Sequence, residues 1–231
     1  MMLHRQIVLT ALLLAASIFL FGYSTIDLWI QDAFYNTHTH QWILDRDLQP
    51  YRFIFYDGIK AVLILFALCM LATLLLGRKY PLIQRYKRGI LIVVLSAIVV
   101  PITASSLKKQ TNMPCPKHAK HYGGIYPHVA VWEHYPKTFT QPEHIQCWPA
   151  GHASGGFALL SLFFLFKSRR NRRRAVCFAL ATGWIMGGYK MLIGDHYFSH
   201  TWITMLLSWL LILLIAKGVK TLFPEDRSAL P

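Results

Sequence analysis

The sequence predicts an all-α integral membrane protein, a six-helix bundle with an outward-facing His-rich loop, and three observations predict it. Of the 231 residues, 55% are hydrophobic and only 15% are charged, where a soluble domain carries about a quarter charged. The charges cluster between apolar tracts of the length, about twenty residues, that a hydrocarbon core requires. Lys and Arg number 24 against 10 Asp and Glu, and they fall mainly between those tracts, as topology determinants do. The formal charge of +14 does not indicate a nucleic-acid partner, because no aromatic–basic binding motif accompanies it. One membrane-embedded domain over 1–231 is expected.

Six stretches qualify as spans: 6–24, 56–77, 89–107, 152–167, 175–193 and 201–218. The first runs into Phe21-Gly-Tyr-Ser-Thr-Ile-Asp-Leu-Trp29, which lacks a small-x-small cleavage site, so it reads as a retained helix and not a signal peptide. The fourth is short and must borrow 151–156 to reach the interface. The fifth carries Gly183, Gly187 and Gly188, small residues that permit close helix contacts in lipid.

Orientation follows from the basic loops. Arg78, Lys79, Arg85, Lys87 and Arg88 separate the second and third spans; Lys167, Arg169, Arg170, Arg172, Arg173 and Arg174 separate the fourth and fifth. The positive-inside rule puts both on the cytoplasmic side, together with both termini, where Arg5, Lys217 and Lys220 lie. Segments 25–55 and 108–151 and the corner Gly194–His200 then face outward. The first of these mixes Trp29, Ile30, Phe34, Tyr35, Trp42 and Leu44 with Asp27, Asp32, Asp45 and Asp47, which suits either an interfacial helix or a plain folded loop. The second is rich in His, Pro, Tyr and Lys and too long for a simple connector. Cys69 and Cys177 lie within spans as small apolar side chains. Cys115 and Cys147 flank the second outer loop, where an oxidising compartment favours a disulfide over two free thiols.

Three stretches carry the chemistry. Cys147-Trp-Pro-Ala-Gly-His-Ala-Ser-Gly-Gly156 sets His152 among small residues where a loop meets an apolar segment, and amides at a helix start accept anions. Lys108–Pro116 precedes it and Lys190–His200 follows the next span. If 196–200 begins a helix, His196 and His200 share one face. The loop histidines His118, His121, His128, His134 and His144 read as surface residues. The alternative, Zn²⁺ or Cu²⁺ held with His196 and His200, lacks a carboxylate to complete a metallohydrolase set. No metal and no cofactor are expected.

In order and spacing the three stretches resemble the type 2 phosphatidic acid phosphatase family, whose pattern is Lys-x6-Arg-Pro, Pro-Ser-Gly-His and Ser-Arg-x5-His-x3-Asp. Here stand Lys108-x6-Cys115-Pro116, Pro149-Ala150-Gly151-His152 and Tyr189-Lys190-x5-His196-x3-His200. Cys115, Ala150, Lys190 and His200 depart from the pattern, and a variant branch found beside mobile colistin-resistance transferases is similar in these respects. The resemblance implies a lipid phosphatase without cofactor, working at the periplasmic face of a bacterial inner membrane. It implies His196 as nucleophile through a phosphohistidine, His152 as general acid and base, and Lys108 and Lys190 with the amides of Ala150 and Gly151 around the phosphate. Lys109 is the reserve if the register slips by one. His200 replaces the Asp that steadies the nucleophile, and Asp195 or Glu143 is the candidate to supply the missing charge. Undecaprenyl diphosphate leads the implied substrates, ahead of phosphatidylglycerophosphate, phosphatidic acid and lipid A. A catalytically weak relative that only binds lipid phosphate is the competing class.

Overall fold

The computed structural model describes residues 2–46 and 48–224; Asp47, grouped above with the acidic residues of the first outer segment, lies outside them. The described chain is all-α apart from one two-residue hairpin, β1 (Tyr35–Asn36) with β2 (Gln41–Trp42). Its helices are α1 (Met2–Tyr23), α2 (Ile26–Asp32), α3 (Gly58–Leu76), α4 (Pro81–Gln110), α5 (Gly151–Ala158), α6 (Leu162–Leu165), α7 (Arg169–Leu192) and α8 (Phe198–Leu222).

Five helices among the described residues are long and apolar enough to cross a bilayer: Leu3–Tyr23, Phe53–Lys79, Pro81–Gln110, Arg169–Leu192 and Phe198–Leu222. Their length and composition suit a multi-pass membrane protein. The expected fourth span is the shorter apolar segment Gly151–Leu165, interrupted by a 3-10 turn at Leu159–Ser161. At about 1.5 Å per residue the helical part alone falls short of a hydrocarbon core of about 30 Å, and the chain up to Arg169 completes the passage from the motif end to the basic end of the bundle. It lies inside the bundle: Ala153 and Phe157 are fully buried against Val93, Val100, Ala179 and Ile212 of α4, α7 and α8. Close approach explains the small residues here, since a Cβ on Gly183 of α7 would overlap the Phe157 ring, and one on Gly187 would overlap Thr201 of α8. Gly188, expected to do the same, faces open space.

The basic loops are shorter than expected. Arg85, Lys87 and Arg88 lie inside α4, and Arg169 to Arg174 inside α7. Pro81 is pre-organised for the first helical turn, and the Ser168 side chain caps α7 by accepting from the Asn171 amide at 3.2 Å. Helix direction still gathers these cations, with Lys217 and Lys220, at the end of the bundle opposite the three motifs.

The first outer segment holds a short helix, α2, and the β1–β2 hairpin, and both pack on the rest of the chain. α2 leans on α8, where Asp27 accepts from the Ser199 amide at 2.8 Å, and Gln31 donates to the Met191 carbonyl at 2.8 Å. Tyr35 packs with Met113, Ala119, Tyr122, Trp148 and Tyr197 into an aromatic plate over the motif end. Cys115 and Cys147 form a disulfide with Cα atoms 5.3 Å apart, buried with Tyr126 and Ile145.

Candidate active site

Backbone and hydroxyl hydrogen bonds draw the three motifs together. Lys108 sits in the last turn of α4, and three residues on the Thr111 hydroxyl donates to the Trp148 carbonyl. The Ala150 amide donates to the His200 carbonyl at 3.3 Å and to the Thr204 hydroxyl at 2.9 Å. Beyond α7, the Asp195 and His196 amides return to the Lys190 carbonyl at 2.8 and 3.2 Å. The Lys117 amide donates to the Gly194 carbonyl at 3.0 Å. Gly194 is at φ +71°, where a Cβ would also overlap Trp42, so this tight corner depends on glycine.

The corner buries its polar groups. Lys190, Asp195, His196 and His200 are 7%, 9%, 2% and 0% exposed. His196 precedes α8 and His200 lies in its first turn, and their Nδ1 atoms are 3.3 Å apart. One of the two must therefore carry the proton that the other accepts. The Cys147 carbonyl acts on the His200 ring, although Nε2 of that ring makes no well-formed hydrogen bond. Burial above all, then the charges of His200, Lys108, His152 and Lys190, hold the His196 imidazole well below its ordinary pKa of 6.5. The charges of His152, Lys108 and Lys190 are thus felt at one ring.

Asp195 bridges two lysines, its Oδ1 being 2.8 Å from Lys117 Nζ and its Oδ2 2.8 Å from Lys190 Nζ. Burial pushes this carboxyl up, but the Lys190 charge and the hydrogen bonds from Lys117 and Lys190 outweigh it and hold the pKa below the usual range.

A cavity of about 580 Å³ opens beside His152 and Lys108 and runs between α3, α4 and α5. Its polar end carries Lys60, Ser105, Lys108 and His152; the remainder is lined by apolar side chains such as Leu63, Phe66, Leu71, Val93, Ile98 and Leu159. Pro101, inside α4, also lines it.

Of the expected site residues, His152, His196, His200, Lys108, Lys190 and Gly151 gather at this end. Ala150 is corrected: it is 0% exposed and its amide is occupied by His200 and Thr204, so it has no donor to offer a phosphate. Lys109 is exposed outside the cavity that Lys108 lines. Neither Asp195 nor Glu143 supplies a carboxylate to the histidine pair: Asp195 is turned to its lysines and Glu143 is exposed in the loop beside Tyr126. His121 pairs with Asp32 at 2.8 Å, and no group of three or more His, Cys, Asp or Glu among the described residues is placed to hold a metal ion. Lys60, Lys117 and Asp27 were missed. Lys117 alone had a signal, being a cation two places after the Cys that displaces an Arg.

The family model described as the PAP2 superfamily matches residues 89–224, which take in most of α4, the outer loop and α5 to α8. No curated protein and no solved structure gives a significant match.

Proposed function

We propose, for a chain that belongs to the PAP2 superfamily, that its phosphatase activity is directed at a lipid phosphate or diphosphate. The apolar cavity ending on His152 and Lys108 carries this reading. A tail can stay in that groove, continuous with lipid, while its phosphate meets the buried polar corner. Undecaprenyl diphosphate is the proposed substrate, hydrolysed to the monophosphate. Placing the basic helix ends in the cytoplasm sets both termini there and the site on the periplasmic side of a bacterial inner membrane.

In the proposed reaction, the His196 Nδ1–H donates to His200 Nδ1, which leaves the Nε2 lone pair of His196 to attack phosphorus. The P–O bond to the leaving group breaks, and its oxygen takes a proton from His152, which lines the tail side of the site. Lys108 and Lys190 neutralise the equatorial oxygens. Water, losing its proton to His152, then attacks the phosphohistidine, breaks P–N and releases orthophosphate. Among the described residues no carboxylate bonds the histidine pair, which favours the second reading, a lipid-phosphate binder of slow turnover, since a neutral His200 stabilises an imidazolium poorly.

The test is orthophosphate release by purified protein, without added metal, from undecaprenyl diphosphate, phosphatidylglycerophosphate, phosphatidic acid and lipid A. Release should be fastest from undecaprenyl diphosphate and fall below detection in His196→Ala and His152→Ala. Binding of these lipids with no release from any selects the slow binder, and a fully active His196→Ala removes the nucleophile.

A further inference from the structure

The first motif of this chain lacks a guanidinium. Cys115 stands where the family pattern has Arg, and its sulfur is bonded to Cys147. A transferring phosphoryl group spreads charge over three equatorial oxygens, so a cradle that loses one cation stabilises that charge less well. The 3-10 turn Pro116–His118 that follows carries Lys117 back toward the corner. Its Nζ and that of Lys190 approach the two oxygens of Asp195, each at 2.8 Å. Ammoniums from the first and third motifs thus converge on one small anion whose oxygens are spaced much as two oxygens of a phosphate are. Lys117 is also near enough to Lys108 for their charges to repel. Two ammoniums bound to one carboxylate, with Lys108 acting on it only through its charge, leave a net of two positive charges, which suits a phosphate dianion.

We propose that Lys117 is a phosphate-binding residue that takes the place of the missing guanidinium. Asp195 is its positioning residue, a counter-ion that holds Lys117 and Lys190 in register until phosphate enters. The proposal rests on the phosphatase reading for its substrate. The lysine side chain is 24% exposed and the Asp195 side chain 12%, so the pair is reached from outside. The backbone bond from the Lys117 amide to Gly194 holds the turn even without the side chain. An ammonium supplies charge without the planar fork of Arg, so the site recognises a phosphate by charge more than by bidentate geometry.

A tether and a ligand make opposite predictions. If Lys117 only ties the loop to the corner, Lys117→Gln and Asp195→Asn break the same bridge and should weaken anion binding alike. If Lys117 binds phosphate, Lys117→Gln weakens it while Asp195→Asn, which removes a competing anion and keeps both lysines, does not. The measurement is calorimetric binding of inorganic orthophosphate to the full chain in detergent, with lipid turnover assayed in parallel. Lys117→Gln should weaken orthophosphate binding about tenfold, Lys117→Arg should restore it, and Asp195→Asn should bind at least as tightly as wild type. Wild-type affinity in Lys117→Gln, equal losses in both variants, or no binding to wild type would each overturn the assignment. The expected binding pattern without turnover of any lipid would sink the phosphatase reading and leave Lys117 in place.

Discussion

On one side of His152 lies a largely buried polar corner; on the other lies an apolar groove open along α3. In the corner, Lys190, Asp195, His196 and His200 are each less than a tenth exposed, and amides of the corner and of the adjoining loops answer carbonyls of α7, α8 and the turn between them. Along the groove, α3 has no buried residue at all, and the facing wall from α4 and α5 supplies apolar side chains such as Val93 and Ala158. The contrast follows from what each region must hold. Phosphoryl transfer needs charges fixed before the substrate arrives, because reorganising them during reaction raises the barrier. A lipid tail needs only apolar surface of suitable width, which side chains can supply without unique packing.

The sharpest way to break that contrast is to disturb the histidine pair. Losing the group that orients a reacting imidazole costs about 10–100-fold, so His200→Ala should reduce kcat at the upper end of that range with KM little changed. Its pH profile carries more. A protonated His196 has no lone pair for phosphorus, and burial with the neighbouring cations lowers its pKa. Wild-type kcat/KM should therefore hold as pH falls through 6.5 and be lost only well below it. His200→Asp puts a carboxylate beside the ring, favours the imidazolium and should move that acid limb upward. A wild-type limb at the ordinary histidine pKa would mean that the ring is not buried among cations during turnover.

The groove should respond differently. Ala97 lines it from α4, and Ala97→Trp fills space that a tail would use. Overpacking of this kind costs about 1–3 kcal/mol, so KM for a long-chain lipid phosphate should rise about tenfold or more. A short-chain, water-soluble phosphate should be hydrolysed unchanged. Equal losses on both substrates would show that the groove wall supports the corner and does not simply admit a tail.

These two regions differ also in how far the sequence exposed them. Apolar length and clustered charge announce spans whatever their neighbours, so α1, α3, α4, α7 and α8 were legible, and so was the convergence of Lys108, His152, His196 and His200 from order and spacing. The short α5–α6 segment was legible as an apolar tract, but hydropathy could not show that it is enclosed by α4, α7 and α8. Ala150 was misassigned because an amide at a helix start reads as a free donor until Thr204, fifty-four positions away, is seen to take it. Nothing in the sequence ties Lys60 to His152, and only the cavity shows that the two share a mouth. The 172 positions between Asp27 and Ser199 hid their contact altogether.

That last contact yields the smallest expected effect, on stability and not on rate. Asp27 is 2% exposed, and burial raises its carboxyl pKa from 3.8 to about 6 against the opposing hydrogen bonds of Ser199. A folded-state pKa above the unfolded value means that the group's contribution is fully present below about pH 3.8 and is lost as pH rises through about 6. The shift corresponds to about 3 kcal/mol, or several degrees in melting temperature for a chain of this size, at about 2–4 °C per kcal/mol. Asp27→Asn keeps an oxygen for the Ser199 amide and removes the titration. Its thermal melting in detergent should therefore lack the part of the wild-type decline between pH 4 and 6.5 that Asp27 contributes, while lipid-phosphate turnover at neutral pH is unchanged. If the variant melts lower than wild type at pH 7, Asp27 acts as a charged cap whose attraction to the α8 N-terminus outweighs its burial, and the outer segment holds the corner by charge instead of by packing.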